Sequence, residues 1–136
     1  MPTSKHRKKI LIVDDEAAVV SYLEMLLRDK GYHTISAHDG LEGLEIARIE
    51  KPDLVTLDVL MPKASGTRFY KEFKRDPELG AIPVVIVTAV TGPGGDPRTY
   101  LRFLSGRKIV PPPEGFFSKP IDKDEFLNKV RELLAA

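Results

Sequence analysis

Five residues whose side chains can do chemistry stand directly after short apolar, β-branched runs: Asp14 and Asp15, Asp58, Thr88 and Lys119. A carboxylate is a competent nucleophile toward phosphorus and forms an acyl phosphate, and the remaining work is to position the donor and neutralise three phosphoryl oxygens. Asp58 is the candidate nucleophile. If Asp14 and Asp15 converge on it, three carboxylates repel one another unless a cation sits among them, and hard oxygen donors in a small site favour magnesium, which also shares phosphate oxygens. Magnesium would hold one phosphoryl oxygen and Lys119 would offer a point charge to a second. The Thr88 hydroxyl, with the backbone N–H of Ala89, would donate to the third. The small side chain of Ala89 leaves such a nucleophile open to an incoming donor.

That chemistry needs elements to carry it. Residues 9–13, 32–37, 53–57, 82–87 and 115–118 read as five strands, with helical periodicity over 16–30, 39–50, 65–75 and 122–134. Gly31 stands where a helix C-terminus favours it, Asp39 and Asp122 are N-cap candidates, and Pro52 stops the second helix. Regular alternation of strand and helix predicts a parallel sheet covered on both faces. Every strand then points the same way, so residues just past the strand ends collect on one edge, where open α/β folds bind ligands. The expected fold is an α/β, flavodoxin-like (βα)5 doubly wound sheet of strand order 2-1-3-4-5, which makes the first and third strands neighbours. The stretch 90–114 is less regular. GPGGDP and PPPEG bracket residues 98–105, expected to form a short or irregular fourth helix capped by Asp96 and Pro97 and stopped by Gly106, then a Pro-rich arm.

The chain's 136 residues suit one domain, expected over 9–136 behind a basic tail at 1–8. Lys and Arg number 21 against 20 acids, so no broad positive field draws nucleic acid or an anionic bilayer, and no direct nucleic-acid binding is expected. The KHRKK run reads as a solvated tail, being short and without interleaved aromatics. No run approaches the roughly 20 apolar residues of a spanning helix, and there is no cysteine, so a cytoplasmic address without membrane contact is expected. His6, His33 and His38 have no mutual metal-ligand spacing and receive no role.

At ILIVDDE, LVTLDVLMPKASG, VVIVTA and FFSKP the chain resembles the receiver domain of bacterial two-component response regulators over nearly its whole length. The resemblance implies a signalling switch: a histidine kinase or histidine phosphotransfer protein donates a phosphoryl group to Asp58, and the modified surface changes affinity for a downstream protein target. It assigns magnesium directly to Asp15, with Asp14 acting through water and the backbone carbonyl of Leu60 as a further ligand. Thr88 matches the residue that turns toward the phosphoryl group, Lys119 the one that pairs with it, and Phe116 the switch aromatic. Lys119–Pro120 falls where the family commonly has a cis peptide, and Met61, Pro62 and Gly66 match the loop after the acceptor. Leu60 and Val90 fall at the two variable flanking positions; both are apolar and expected to keep attacking water out.

The interval from Thr88 to Lys119 is longer than the resemblance leads one to expect, so the family's partner modes do not transfer to it. Each residue alone has a plainer reading: Asp14 to Glu16 as charge complementing a helix dipole, Asp58 as a loop cap, Thr88 as a strand end, Lys119 as a solvated lysine and Phe116 as core. The ordered set at consecutive strand ends favours the joint reading. Arg98, Tyr100, Arg102 and Phe103 read as one amphipathic helix. A haloacid-dehalogenase-like phosphatase is the competing enzyme class, but that chemistry wants an acid two residues after the nucleophile, where Leu60 stands. A degenerate receiver acting as a constitutive interaction domain is a third reading, and a flavin carrier lacks its phosphate loop. No turnover is expected beyond assistance to the chain's own phosphorylation and dephosphorylation. No output segment follows Ala136, so the chain is expected either to act alone through protein contacts or to be part of a longer protein.

Overall fold

The structure, a computed structural model, describes residues 7–89 and 111–135. Val90, the helix expected over 98–105 with its flanking Asp96, Pro97 and Gly106, and the cluster of Arg98, Tyr100, Arg102 and Phe103 lie outside the described residues.

The described elements run β1 (Lys9–Val13), α1 (Ala17–Asp29), β2 (His33–Ala37), α2 (Gly40–Glu50), β3 (Leu54–Leu57), a 3₁₀ turn (Pro62–Ala64), α3 (Ser65–Arg75), β4 (Val84–Thr88), β5 (Gly115–Ser118) and α4 (Lys123–Leu134). All strands are parallel, in the order β2-β1-β3-β4-β5 expected from the sequence. Alternate residues of a strand face opposite sides of the sheet, and both sides are covered, which is why β1, β3 and β4 are apolar with little alternation. Leu11, Val13, Val55, Leu57, Val84 and Ile86 pack with Leu44 and Ala47 of α2 and with Phe69 and Phe73 of α3. Ile10, Ile12, Leu54, Val85 and Val87 pack with Leu23 and Leu27 of α1 and Phe126 and Val130 of α4.

Local chemistry sets the element ends. The Asp39 carboxylate accepts from the Glu42 N–H at 2.8 Å, and that of Asp122 from the Glu125 N–H at 3.0 Å, so both residues cap α2 and α4 rather than opening them. Gly31 takes the left-handed φ of +93° needed to leave α1, as its placement predicted. β4 starts two residues later than the apolar run suggests, because the Ile82 N–H closes a turn onto Leu79 O at 3.0 Å and Pro83 brings no donor. Thr88 is the last residue of β4 instead of the first beyond it.

Candidate functional site

Strand register aligns the polar residues. Val13 pairs with Leu57 across β1 and β3, and the Asp58 N–H donates to Val13 O at 2.9 Å, so Asp14 and Asp58 leave the sheet side by side. On the other flank Thr88 pairs with Ser118, and the Lys119 N–H donates to Thr88 O at 2.9 Å. Behind Asp58, α3 approaches closely: a Cβ on Gly66 would stand 2.3 Å from Asp58 O, so only glycine permits this packing.

Asp58 is 4% exposed, and both of its carboxylate oxygens have partners. Oδ1 accepts from Thr88 Oγ1 at 2.6 Å and from the Leu60 N–H at 3.0 Å, while Oδ2 lies 3.3 Å from Lys119 Nζ. Lys119 Nζ also lies 3.1 Å from Asp14 Oδ2 and 2.9 Å from Glu16 Oε1. The three N–H bonds of one ammonium are thus matched by three carboxylates. Burial alone would push the Lys119 amine down, but hydrogen bonds to Glu16 and Asp14 and the charges of Asp14 and Asp58 outweigh it and hold it above its ordinary value. Burial pushes the Asp14 carboxyl up, with the Asp58 charge adding to the shift and the Glu16 N–H and Lys119 opposing it.

The sequence-predicted residues are therefore largely brought together: Asp14, Asp58, Thr88 and Lys119 make direct contacts. Ala89 follows Thr88 at the end of β4, and its side chain is half-buried. Leu60 reaches Asp58 through its amide and exposes 47% of its surface beside the site. Lys119–Pro120 is cis. Phe116 is half-buried against the core that α2 and α3 cover. Asp15 differs: it is exposed and lines grooves beside His38 and Glu42, whereas the acids whose oxygens lie within 4.8 Å of one another are Asp14, Glu16 and Asp58. Glu16 was missed as a site residue. Its signal was available, as the third acid of the run after β1, but its contact with Lys119 spans 103 positions.

The donor set fits magnesium. Three hard carboxylate oxygens converge, and a cation, the Lys119 ammonium, already stands among them.

A parallel 2-1-3-4-5 sheet with acids, a hydroxyl and a lysine at one edge defines the phosphoacceptor class of flavodoxin-like domains. The family model described as Response regulator receiver domain matches residues 10–101, and the chain belongs to that family of phosphorylation-dependent signalling switches of two-component systems. The chain is 33% identical over 127 residues to the polar-differentiation response regulator DivK of Brucella anthropi, covering 93% of this chain and 96% of that protein. The DivK protein of Brucella ovis matches with the same identity and coverage, 33% over 127 residues. Among solved structures, the signal receiver domain of a signal transduction histidine kinase from Syntrophus aciditrophicus superposes with a TM-score of 0.79 at 30% identity, covering 94% of this chain and 90% of that one. Chemotaxis protein CheY4 of Vibrio cholerae does so with a TM-score of 0.77 at 25% identity, covering 94% and 99%. Receiver domains of this family bind magnesium at an acidic cluster, and Asp14, Glu16 and Asp58 form such a group here. Nothing in these relationships favours a haloacid-dehalogenase phosphatase.

Proposed function

We propose that Asp58 is the phosphoacceptor of this receiver and that Thr88, Ala89 and Lys119 complete the site, in a domain spanning residues 9–136. The observation that carries the proposal is the set of contacts around one buried carboxylate: Thr88 Oγ1 at 2.6 Å and the Leu60 N–H at 3.0 Å on Oδ1, with Lys119 Nζ at 3.3 Å from Oδ2. Oδ1 is held by two donors, whereas Oδ2 faces the Lys119 ammonium alone, and Oδ2 is the oxygen assigned to attack. Its lone pair forms the new P–O bond as the P–N bond of a partner's phosphohistidine breaks, and the imidazole keeps that electron pair. The Asp58 carboxylate loses its charge to the acyl bond, while the phosphoryl group brings its own. Lys119 and the Thr88 hydroxyl then turn from the carboxylate to phosphoryl oxygens, favouring a conformation already available to the fold. Phe116, on the strand that leads into Lys119, would repack as Thr88 moves, in keeping with its proposed switch role.

Magnesium, when bound, would neutralise phosphoryl charge. Asp14 and Asp58, with Asp15 and the Leu60 carbonyl, are the residues proposed to hold it. Asp15 would have to turn toward the site from its exposed position. The phosphodonor is a histidine kinase or histidine phosphotransfer protein, and the output is a changed affinity for a protein partner, without multiple-turnover activity. A cytoplasmic address accords with this reading, and no helix among the described residues is long and apolar enough to cross a membrane.

Incubation with a small acyl phosphate and magnesium tests the assignment. Mass spectrometry should find one hydroxylamine-labile phosphoryl group per chain, absent from Asp58→Ala and in chelator. Labelling that survives Asp58→Ala, or no labelling from any donor, would overturn it.

A further inference from the structure

Among the described residues, Glu16 is the one acid around Lys119 that lies outside the buried floor of the site. Its side chain is 60% exposed, against 2% for Asp14 and 5% for Asp58, yet it makes the shortest of the three contacts, 2.9 Å. Its backbone is fixed. The Glu16 N–H donates to Asp14 Oδ1 at 2.9 Å, and Glu16 O accepts from the N–H groups of Val19 and Val20 at 3.0 and 3.1 Å, as the residue before α1. Its carboxylate nonetheless makes no hydrogen bond to the first turn of α1 and reaches across to Lys119 instead. A carboxylate in that place does not cap its own helix.

We propose that Glu16 is a positioning residue that grips Lys119 in the unmodified protein and must release it before a phosphoryl oxygen can be bound, so that it sets how readily Asp58 is modified. The proposal rests on the phosphoacceptor reading above. An ammonium has three N–H donors, and here Asp14, Glu16 and Asp58 each face one. An arriving phosphoryl oxygen must displace a partner. Asp14 is buried and tied to the Glu16 N–H, and Asp58 is the reacting group, so the exposed Glu16 side chain is the partner that can swing into water at little cost. Exposed ion pairs are weak, which makes the grip a brake rather than a block. In the step itself Asp58 Oδ2 forms the P–O bond, the donor's bond to phosphorus breaks, and the leaving group keeps the electron pair. Glu16 gains and loses no proton.

Two variants separate the grip from mere charge. Glu16→Gln keeps the size and removes the charge; Glu16→Asp keeps the charge but falls short of Lys119 by one methylene. With acetyl phosphate at saturating magnesium, both should be labelled faster than the unmodified chain by roughly two- to fivefold, the range an exposed ion pair spans. Acylation of the Lys119 amine by acetic anhydride, followed by peptide mass spectrometry, should speed up by a similar factor in both, without any phosphodonor present. If Glu16→Asp behaves like the unmodified chain while Glu16→Gln is faster, charge alone is at work and the grip is overturned. Unchanged acylation of Lys119 in both variants overturns it too, as does slower labelling at saturating magnesium, which would make Glu16 a metal ligand. If the unmodified chain takes no label from any donor, the phosphoacceptor reading fails, and the grip on Lys119 is still decided by the acylation rates.

Discussion

Asp14 shows how a single residue is held in an unfavourable state for use. It is 2% exposed, and burial raises its carboxyl above the ordinary value against the pull of the Glu16 N–H and Lys119. A raised carboxyl binds its proton more tightly in the folded chain than in the unfolded one, so its contribution to stability falls as pH rises from the unfolded value of 3.8 through the folded one. At neutral pH in chelator Asp14→Asn should therefore stabilise the fold, since it removes a charge that burial disfavours while the ammonium beside it keeps two other acids. The amide keeps an oxygen for the Glu16 N–H, and Lys119 retains Glu16 and Asp58. Urea unfolding of both proteins between about pH 3 and 7 checks the sign: the advantage of the variant should shrink as pH falls. An advantage that grows toward acid would show that Lys119 more than offsets the burial. Thr56 carries a related cost without evident use, since its hydroxyl is buried and has no hydrogen-bond partner among the described residues.

At the scale of elements, α3 is tied to the segment leading into β5 by two polar contacts on one face of the helix. The Tyr70 hydroxyl donates to Pro111 O, and the Lys74 ammonium meets Glu114 Oε1 at 3.0 Å and Ile82 O at 3.2 Å. Glu114 in turn accepts from the Val84 N–H at 2.7 Å, which closes the link from α3 through the arm to β4. The Lys74 side chain is 1% exposed, and a buried cation that loses its role leaves its partners unsatisfied. Lys74→Met should cost about 2 kcal/mol in urea unfolding, because Ile82 O loses its donor and Glu114 its ammonium partner, while Glu114 keeps the Val84 N–H and some access to water. Amide exchange at Glu114 and Gly115 should quicken with it. A loss below about 0.5 kcal/mol would mean that the apolar packing of α3 alone holds the arm. Much of the rest was legible in the sequence. β1, β5 and α3 have the bounds that periodicity gave, and Asp39 and Asp122 cap as their positions predicted, because a short-range signal determines each. Likewise Asp58, Thr88 and Lys119 meet because parallel strands deliver their ends to one edge. Glu16 and Lys74 were not legible as partners of Lys119 and Glu114. Their contacts cross 103 and 40 positions through long flexible side chains, and neither has a spacing rule. Asp15, expected to bind metal directly, is exposed in the structure.

For the molecule as a whole, parallel topology concentrates charge as well as chemistry. One carboxylate oxygen from each of Asp14, Glu16 and Asp58 lies within 4.8 Å of the other two at one edge of the sheet, and among the described residues the Lys119 ammonium is the cation that meets all three acids. The fold thus carries repulsion that a bound cation would relieve, and a cation held only by the folded chain stabilises it by mass action. At magnesium about 100-fold above its dissociation constant the gain is about 2.7 kcal/mol, independent of how the ligands are arranged. For a domain of this size that corresponds to a rise in Tm of roughly 10 °C, readable by calorimetry against a sodium control of matched ionic strength. Asp58→Ala and Asp14→Asn should each remove most of that rise. The second variant is the sharper test, because its two effects have opposite signs: Asp14→Asn raises stability in chelator and lowers it, relative to the unmodified chain, in saturating magnesium. A chain whose acids served only to complement helix dipoles would show neither the magnesium-dependent rise nor the crossing of the two stability curves.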